Sequence, residues 1–355
     1  MKKSLLALAA LTAFAGVASA QSSVTLFGVV DLSVGQVDNG AVDRFLMMQD
    51  GNASTRLGFR GVEDLGGGLK AGFWLESALA PDSQLAPSFG RRSTVSLMGN
   101  WGEVRLGRDY TPTFWNWTVF DPFGTNGVGG ATNLALEVAT VPGGNYGTLV
   151  RADNTVGYFL PAMGGLYGQA MVSLGEGQFG NKIYAGRIGW AAGPFNVAGA
   201  YGITEASGTQ DLTNWNIAGS WQIGPFKLSG FYSNIELDSG AGFSEPLTQT
   251  NWYLGASWAI GATTIKGSYG SVERDSNAGL CYNAAGVGST AVTTCDATQW
   301  AIGATYDLSK RTALYGTYSS IDNSGTVFRT FGSTNALPGR NDTNTGYQFG
   351  VRHSF

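Results

Sequence analysis

Large apolar side chains alternate with small or polar ones along most of this chain. In the last ten residues Tyr347, Phe349, Val351 and Phe355 share one parity, while Gln348, Gly350, Arg352 and Ser354 share the other. A period of two is the mark of a strand with two unlike faces. Comparable segments recur near 24–35, 54–64, 69–79, 91–100, 103–110, 151–160, 165–174, 183–191, 195–203, 213–223, 226–235, 250–260, 262–273, 298–306, 312–321 and 344–355, which predicts sixteen strands. In two of them the apolar faces are plain: Trp215, Ile217, Trp221 and Ile223 in one, Trp252, Leu254, Trp258 and Ile260 in the other.

The connections alternate in length. Short ones such as Leu65-Gly66-Gly67-Gly68, Trp101-Gly102, Ala192-Gly193-Pro194, Gly224-Pro225 and Gly261 follow the even strands, and most are turn chemistry. Long ones follow most of the odd strands. A soluble sandwich has no reason for this asymmetry, whereas an outer-membrane barrel has short turns on the side of its termini and long loops on the other. The expected fold is therefore all-β, a sixteen-stranded antiparallel transmembrane β-barrel. So many strands enclose a lumen that side chains cannot fill, which implies a water-filled channel.

The N-terminus agrees with export. Lys2 and Lys3 precede an apolar run from Leu5 to Val17, and Ala18-Ser19-Ala20 offers a cleavage site, so residues 1–20 are expected to be a signal peptide and residues 21–355 the barrel domain. That run is too short for a helical anchor, which needs roughly 20 residues. No later stretch is long and apolar enough to span as a helix, so membrane residence requires a barrel. Charged residues make up only 13%, beside 54 glycines and 12% aromatics, as suits a barrel wall. Without Lys2 and Lys3 the chain has 19 basic and 25 acidic residues, a net of about −6, which argues against nucleic acid as a partner. The single histidine, His353, makes His-ligated metal sites and His-based triads unsuitable readings; no metal or other cofactor is expected. Cys281 and Cys295 lie in a Gly/Asn/Ser/Thr-rich stretch of an exported chain. A disulfide across one loop is expected, worth about 3 kcal/mol for a loop of about 15 residues; two free thiols are the alternative.

The connection of about forty residues from Tyr110 to Val150 is long enough to be functional. Its Phe114, Trp115, Trp117, Phe120 and Phe123 would be a liability in water. Folding this third loop into the lumen would bury the rings against the wall and narrow the pore; an external loop packed on its neighbours is the alternative. Arg56 and Arg60 share one face of their strand, with Leu57 and Phe59 on the other. A lipid-facing arginine costs roughly 2–4 kcal/mol at mid-bilayer, so both should face the lumen. Parity places Arg92, Arg105, Arg151 and Lys70 inward too. Asp109, Asp121 and Glu137 are the acids available opposite them. A basic wall facing an acidic loop would set a transverse field that selects ions by local charge. Arg108 has outward parity and needs a bulge or an interfacial place.

The segments Ser23 to Asp31, Ser54 to Lys70 and Leu106-Gly107-Arg108-Asp109-Tyr110 resemble the general porins of beta-proteobacteria. The resemblance spans the mature chain. It implies a homotrimer of sixteen-stranded barrels in the cell outer membrane, in contact with lipid and lipopolysaccharide. It also implies passive diffusion of ions and small hydrophilic solutes and no enzymatic activity; the excess of the five arginines over Asp109, Asp121 and Glu137 adds an expectation of modest anion preference. The family's constriction basics map onto Arg56, Arg92 and Arg151, and its loop acids onto Asp121 and Glu137. Phe355 corresponds to the family's assembly signal, read by the barrel assembly machinery. Three other functions compete. A specific sugar or organic-acid channel would want a lumen track of aromatics, and only Trp74 and Phe231 have that parity. A hydrolase would need a better base than His353. A secreted carbohydrate-binding sandwich would explain the aromatics but neither the loop lengths nor Phe355. Gly66-Gly67-Gly68 lacks a following Lys-Ser/Thr pair, so it is a turn and not a phosphate loop.

Overall fold

The computed structural model describes residues 23–38, 43–83, 86–135, 149–177, 182–207, 210–239, 246–275, 296–324 and 343–355. The expected signal peptide, Cys281, Cys295 and Glu137 lie outside the described residues. The strand segments are β1 (Ser23–Asp38), β2 (Asp43–Gln49), β3 (Arg56–Gly66), β4 (Leu69–Ala78), β5 (Ser88–Gly99), β6 (Gly102–Tyr110), β7 (Arg151–Phe159), β8 (Leu166–Ser173) and β9 (Ile183–Ala192). They continue with β10 (Phe195–Ser207), β11 (Gln210–Ile223), β12 (Phe226–Leu237), β13 (Leu247–Ile260), β14 (Thr263–Asp275), β15 (Ala297–Asp307), β16 (Thr312–Asn323) and β17 (Thr343–Ser354).

Every neighbour in sequence pairs antiparallel from β3 round to β17, and β17 then pairs with β1. On its other edge β1 pairs first with β3 and then with β2, with Val29 shared between Ser354 of β17 and Arg56 of β3. β2 and β3 are thus two segments of one interrupted wall strand, and the barrel is closed with sixteen strands. β2 breaks the simple pattern because both of its faces are apolar. Phe45 and Met47 point out, exposed, while Leu46 and Met48 carry the opposite parity. Several strands also outrun their expected ends: β10 reaches Ser207 and β11 starts at Gln210, so wall replaces part of a loop.

The two faces separate as the alternation predicts. Ile217, Leu254 and Phe349 stand outward and exposed to what is lipid in the membrane, whereas Asn216, Ser233, Gln249 and Gln299 of the inner face are buried. Outward rings collect in two belts. Phe195 stacks on Trp221 at 5.9 Å and Phe226 on Trp258 at 5.1 Å beside the short turns. Trp215 with Tyr232, Trp252 with Tyr269 and Trp300 with Tyr318 lie at the other end. Trp215 and Trp221 are six residues apart on β11, about 20 Å of strand at ~3.3 Å per residue, close to the height of a barrel's apolar band. At the tight turns Gly224 (φ 55°) and Gly261 (φ 59°) take the left-handed conformation that an L side chain resists.

Closure ends on the last residue. The Phe355 N–H donates to Gly28 O and Gly28 N–H to Phe355 O, both at 3.0 Å. A Cβ on Gly28 would fall 2.3 Å from the Phe355 ring, so the glycine makes room for the aromatic on the outer face. Deleting Phe355 removes two backbone bonds, each worth about 1 kcal/mol net, together with the ring contact. The expected result is slower assembly and a smaller heat-modifiable fraction on gels. Assembly at wild-type rate and yield would remove Phe355 from the closure mechanism.

Candidate functional site

The described residues of the connection after β6, here called L3, pack against inner-face residues of the wall. Thr111 caps its first helix, α1 (Pro112–Phe120), by accepting the Phe114 N–H at 3.4 Å, with Pro112 at the first turn where its missing N–H costs nothing. α1 lies against the inner faces of β8 to β12, and the short α2 (Thr132–Ala135) against β14 and β15. Phe114, Trp117, Phe120 and Phe123 are all buried, each side chain worth about 1.5–3 kcal/mol of apolar burial. Trp117 stacks on Phe231, and Phe231 on Tyr253. Phe231, which had the parity for a sugar track, is therefore covered by the loop. Gly255 leaves space for the descent, because a Cβ there would stand 2.5 Å from the Pro122 ring.

Polar bonds fix the rest. Asn116 donates to Asn216 Oδ1 at 2.8 Å, and Asn216 returns a bond to Thr113 O at 3.0 Å. Gln249 reaches Ala135 O and Gln299 reaches Val128 O, both at 3.0 Å. Asp121 organises the turn. Its carboxylate accepts the backbone N–H groups of Phe123 (2.8 Å), Thr125 (2.9 Å) and Ala131 (2.9 Å) and the Tyr253 hydroxyl (3.0 Å). Burial pushes its pKa above the usual carboxylate range despite those donors. Its expected place as a loop acid facing the pore is not what the structure shows, because the backbone N–H groups of L3 take its oxygens. What α1 leaves half-exposed is the stripe Trp115, Thr118 and Val119, which carries no charge.

The arginines gather on the facing wall, as parity predicts. Arg60 and Arg92 lie over the Trp74 ring at 5.2 and 4.6 Å, Arg105 over Phe159 at 4.0 Å and Arg151 over Tyr110 at 4.5 Å. Rings hold these guanidiniums in set planes while leaving N–H groups for other partners. Arg56 approaches Glu76 at 3.9 Å. Asp109, expected opposite the arginines, sits beneath them on the same wall, bonded to Arg105 and 3.9 Å from Arg92. The reason is local: Arg105 and Asp109 are four residues apart on β6, so they share the inward parity and pair along one strand. Lys70 is exposed at the turn end, opposite Asp64, and away from this group. Arg108 pairs with Asp153 at 2.7 Å beside the register shift between Gly107 and Asp109, in agreement with its outward parity.

Three participants were not anticipated. Arg91 has outward parity, but a register shift between Glu76 and Ala78 turns it inward, where it bonds Glu76 at 2.7 Å and the Tyr110 hydroxyl at 2.9 Å. The adjacent pair Arg91-Arg92 was the available signal, since a regular strand cannot face both inward. Glu76 and Glu103 were legible from parity, two residues from Trp74 and Arg105 respectively. Glu103 accepts from Arg105 at 2.9 Å. Two of the acids lie deeper than their arginines: the Glu76 and Asp109 side chains are 10% and 2% exposed, against 30% for Arg56 and 17% for Arg92, while Glu103 at 22% is more exposed than Arg105 at 11%. Over Glu76 and Asp109 a solute in the lumen meets guanidinium first.

The model for Gram-negative porins matches residues 7–326. Outer membrane porin protein 32 of Delftia acidovorans is 36% identical over the full length of both chains. An outer membrane porin protein of Bordetella pertussis is 32% identical over 66% of this chain and 69% of its own. Among solved structures, the anion-selective porin from Comamonas acidovorans matches with a TM-score of 0.82 at 32% identity, covering 94% of this chain and all of that one. The chain belongs to the Gram-negative porin family, and its closed barrel is a channel of the outer membrane.

Proposed function

We propose that the channel is a passive pore with modest anion preference. Its narrowest passage runs between the uncharged stripe of α1 and the arginine wall. The observation that carries this reading is the depth order of the charges, with Glu76 and Asp109 beneath the guanidiniums of Arg56, Arg91, Arg92 and Arg105. Selectivity follows the charges that a permeating ion meets at close range, because charges facing bulk salt are damped over about 8–10 Å. The net of about −6 on the mature chain therefore does not oppose an anion preference. The anion-selective relative supports the reading, and a specific sugar channel is disfavoured by Trp117 covering Phe231.

The same proposal includes a homotrimer, a mature N-terminus at Gln21, a Cys281 to Cys295 disulfide and recognition of Phe355 by the assembly machinery. Mass spectrometry of the outer-membrane form should find Gln21 first, and native gels a heat-resistant oligomer. Residues 1–20 retained, or only a heat-labile monomer, would count against it.

Selectivity is tested by replacing Arg56, Arg92 and Arg151 together with Ser and measuring reversal potentials in a potassium chloride gradient. The expected outcome is a wild-type potential on the anion side and a shift toward cations in the variant. An unchanged potential, or a wild-type pore that prefers cations, would show that the arginine wall does not control permeation.

A further inference from the structure

Barrel closure does not account for the excursion between β2 and β3. β2 pairs with β1 in the register Leu32 to Gln49, and β3 in the register Val29 to Arg56. Six residues, Asp50 to Thr55, thus stand opposite Val30 and Asp31, an excess of four. The shift is even, so inward and outward parity survive on both sides of it. A regular strand would have met the wall's hydrogen-bonding needs without the excess.

Asp31, completely buried, holds the excursion in place. Its Oδ2 accepts the backbone N–H groups of Asn52 at 2.8 Å and Ala53 at 2.7 Å, and its Oδ1 accepts the Tyr315 hydroxyl. Asp50 adopts φ 63°, a strained conformation that persists only where the surroundings impose it. Asn52 is fastened to Thr305 and Arg352, both at 3.0 Å. These bonds make a rigid shelf standing off the wall.

The shelf touches both sides of the passage. Ser54 Oγ donates to Asn126 Oδ1 in L3 at 2.8 Å, while Ser54 O accepts from Arg56 Nη1 at 3.1 Å. Gly51 O accepts from Gln348 at 3.1 Å, and a Cβ on Gly127 would fall 2.5 Å from that same oxygen. The tip of L3 therefore abuts the shelf with no room for a side chain at Gly127.

We propose that Asp50 to Thr55 is the seat of the L3 tip and sets the gauge of the pore, with Asp31 and Ser54 as positioning residues for permeation. The proposal rests on the reading of L3 as one side of the constriction. Ser54 spans the gap: its hydroxyl fixes the loop, and its carbonyl fixes the nearest arginine. Without the seat, the described part of L3 keeps its bonds to Asn216, Gln249, Tyr253 and Gln299 on the far wall, and its Asn126 end is released.

The test uses the full-length protein in planar bilayers. Deleting Gly51 to Ser54 restores one continuous register with β1, and is expected to give a heat-resistant barrel with higher conductance and weaker anion preference. Ser54→Ala removes only the tie to Asn126, and is expected to raise open-channel current noise about twofold or more while Ser54→Thr restores it. Thr118→Trp, on the exposed stripe of α1, should lower conductance. If Thr118→Trp leaves conductance unchanged, L3 does not bound the passage and the proposal falls with that reading. If Thr118→Trp narrows the pore but the deletion variant keeps wild-type conductance, selectivity and noise, the seat alone is refuted. Should the deletion variant fail to assemble, wild-type noise in Ser54→Ala refutes it instead.

Discussion

The bilayer core offers no hydrogen-bonding partner to a bare backbone group, and the rest of this molecule follows from that constraint. Each wall strand must be paired on both edges, so β1 has to lie between β17 and β3 and the sheet has to close. Closure with sixteen strands fixes a lumen wider than side chains can fill. Selectivity then has to be supplied by something placed inside the ring. The described part of L3 lies inside the ring at a hydrogen-bonding cost of its own, since a chain folded inside a protein must satisfy its N–H and C=O groups there. Asp121 meets much of that demand by accepting three backbone N–H groups of the loop. Asparagines and glutamines on the inner wall meet more of it: Asn216, Gln249 and Gln299 each donate to an L3 carbonyl.

The inner face can also hold charge that the outer face cannot. Arginines that would cost roughly 2–4 kcal/mol each toward lipid are placed at a water-filled surface, over the rings of Trp74, Tyr110 and Phe159. The transverse field inferred from the sequence takes a different form among the described residues. The stripe of α1 opposite the arginines is neutral, and the partner carboxylates Glu76, Glu103 and Asp109 belong to the arginine wall itself. Paired this way, the acids restrain guanidinium orientation more than they divide the lumen into halves.

Strand faces were legible because period-two alternation has one cause in a barrel, lipid outside and water or protein inside. The lumen places of Arg56, Arg60, Arg92, Arg105 and Arg151 came from that alone. The burial of Phe114, Trp117, Phe120 and Phe123 came instead from the liability of a ring cluster in water, and Trp115 stays half-exposed. Parity fails where the backbone departs from regular pairing, and it cannot sort a strand that is apolar on both faces. Arg91 is turned inward by a bulge and β2 is apolar on both faces, while Asp109 keeps the inward parity of Arg105 and pairs with it on the same wall. Asp121 was misjudged for a different reason. Sequence shows that a loop carries an acid, and cannot show whether its oxygens face solvent or backbone N–H groups.

The contacts that position L3 are divided between early and late parts of the chain. Asn216, Gln249 and Tyr253, which grip its helices and turn, come from β11 and β13. The shelf under its tip depends on Thr305, Tyr315, Gln348 and Arg352, from β15, β16 and β17. Those strands reach Asp31 only when β17 pairs with β1, the step that also joins Phe355 to Gly28. Asp31 stands directly opposite Arg352 across that seam. The seam that removes the last unpaired edge is therefore also the seam that completes the shelf, so a barrel still open between β1 and β17 has neither a sealed wall nor a finished support for its third loop.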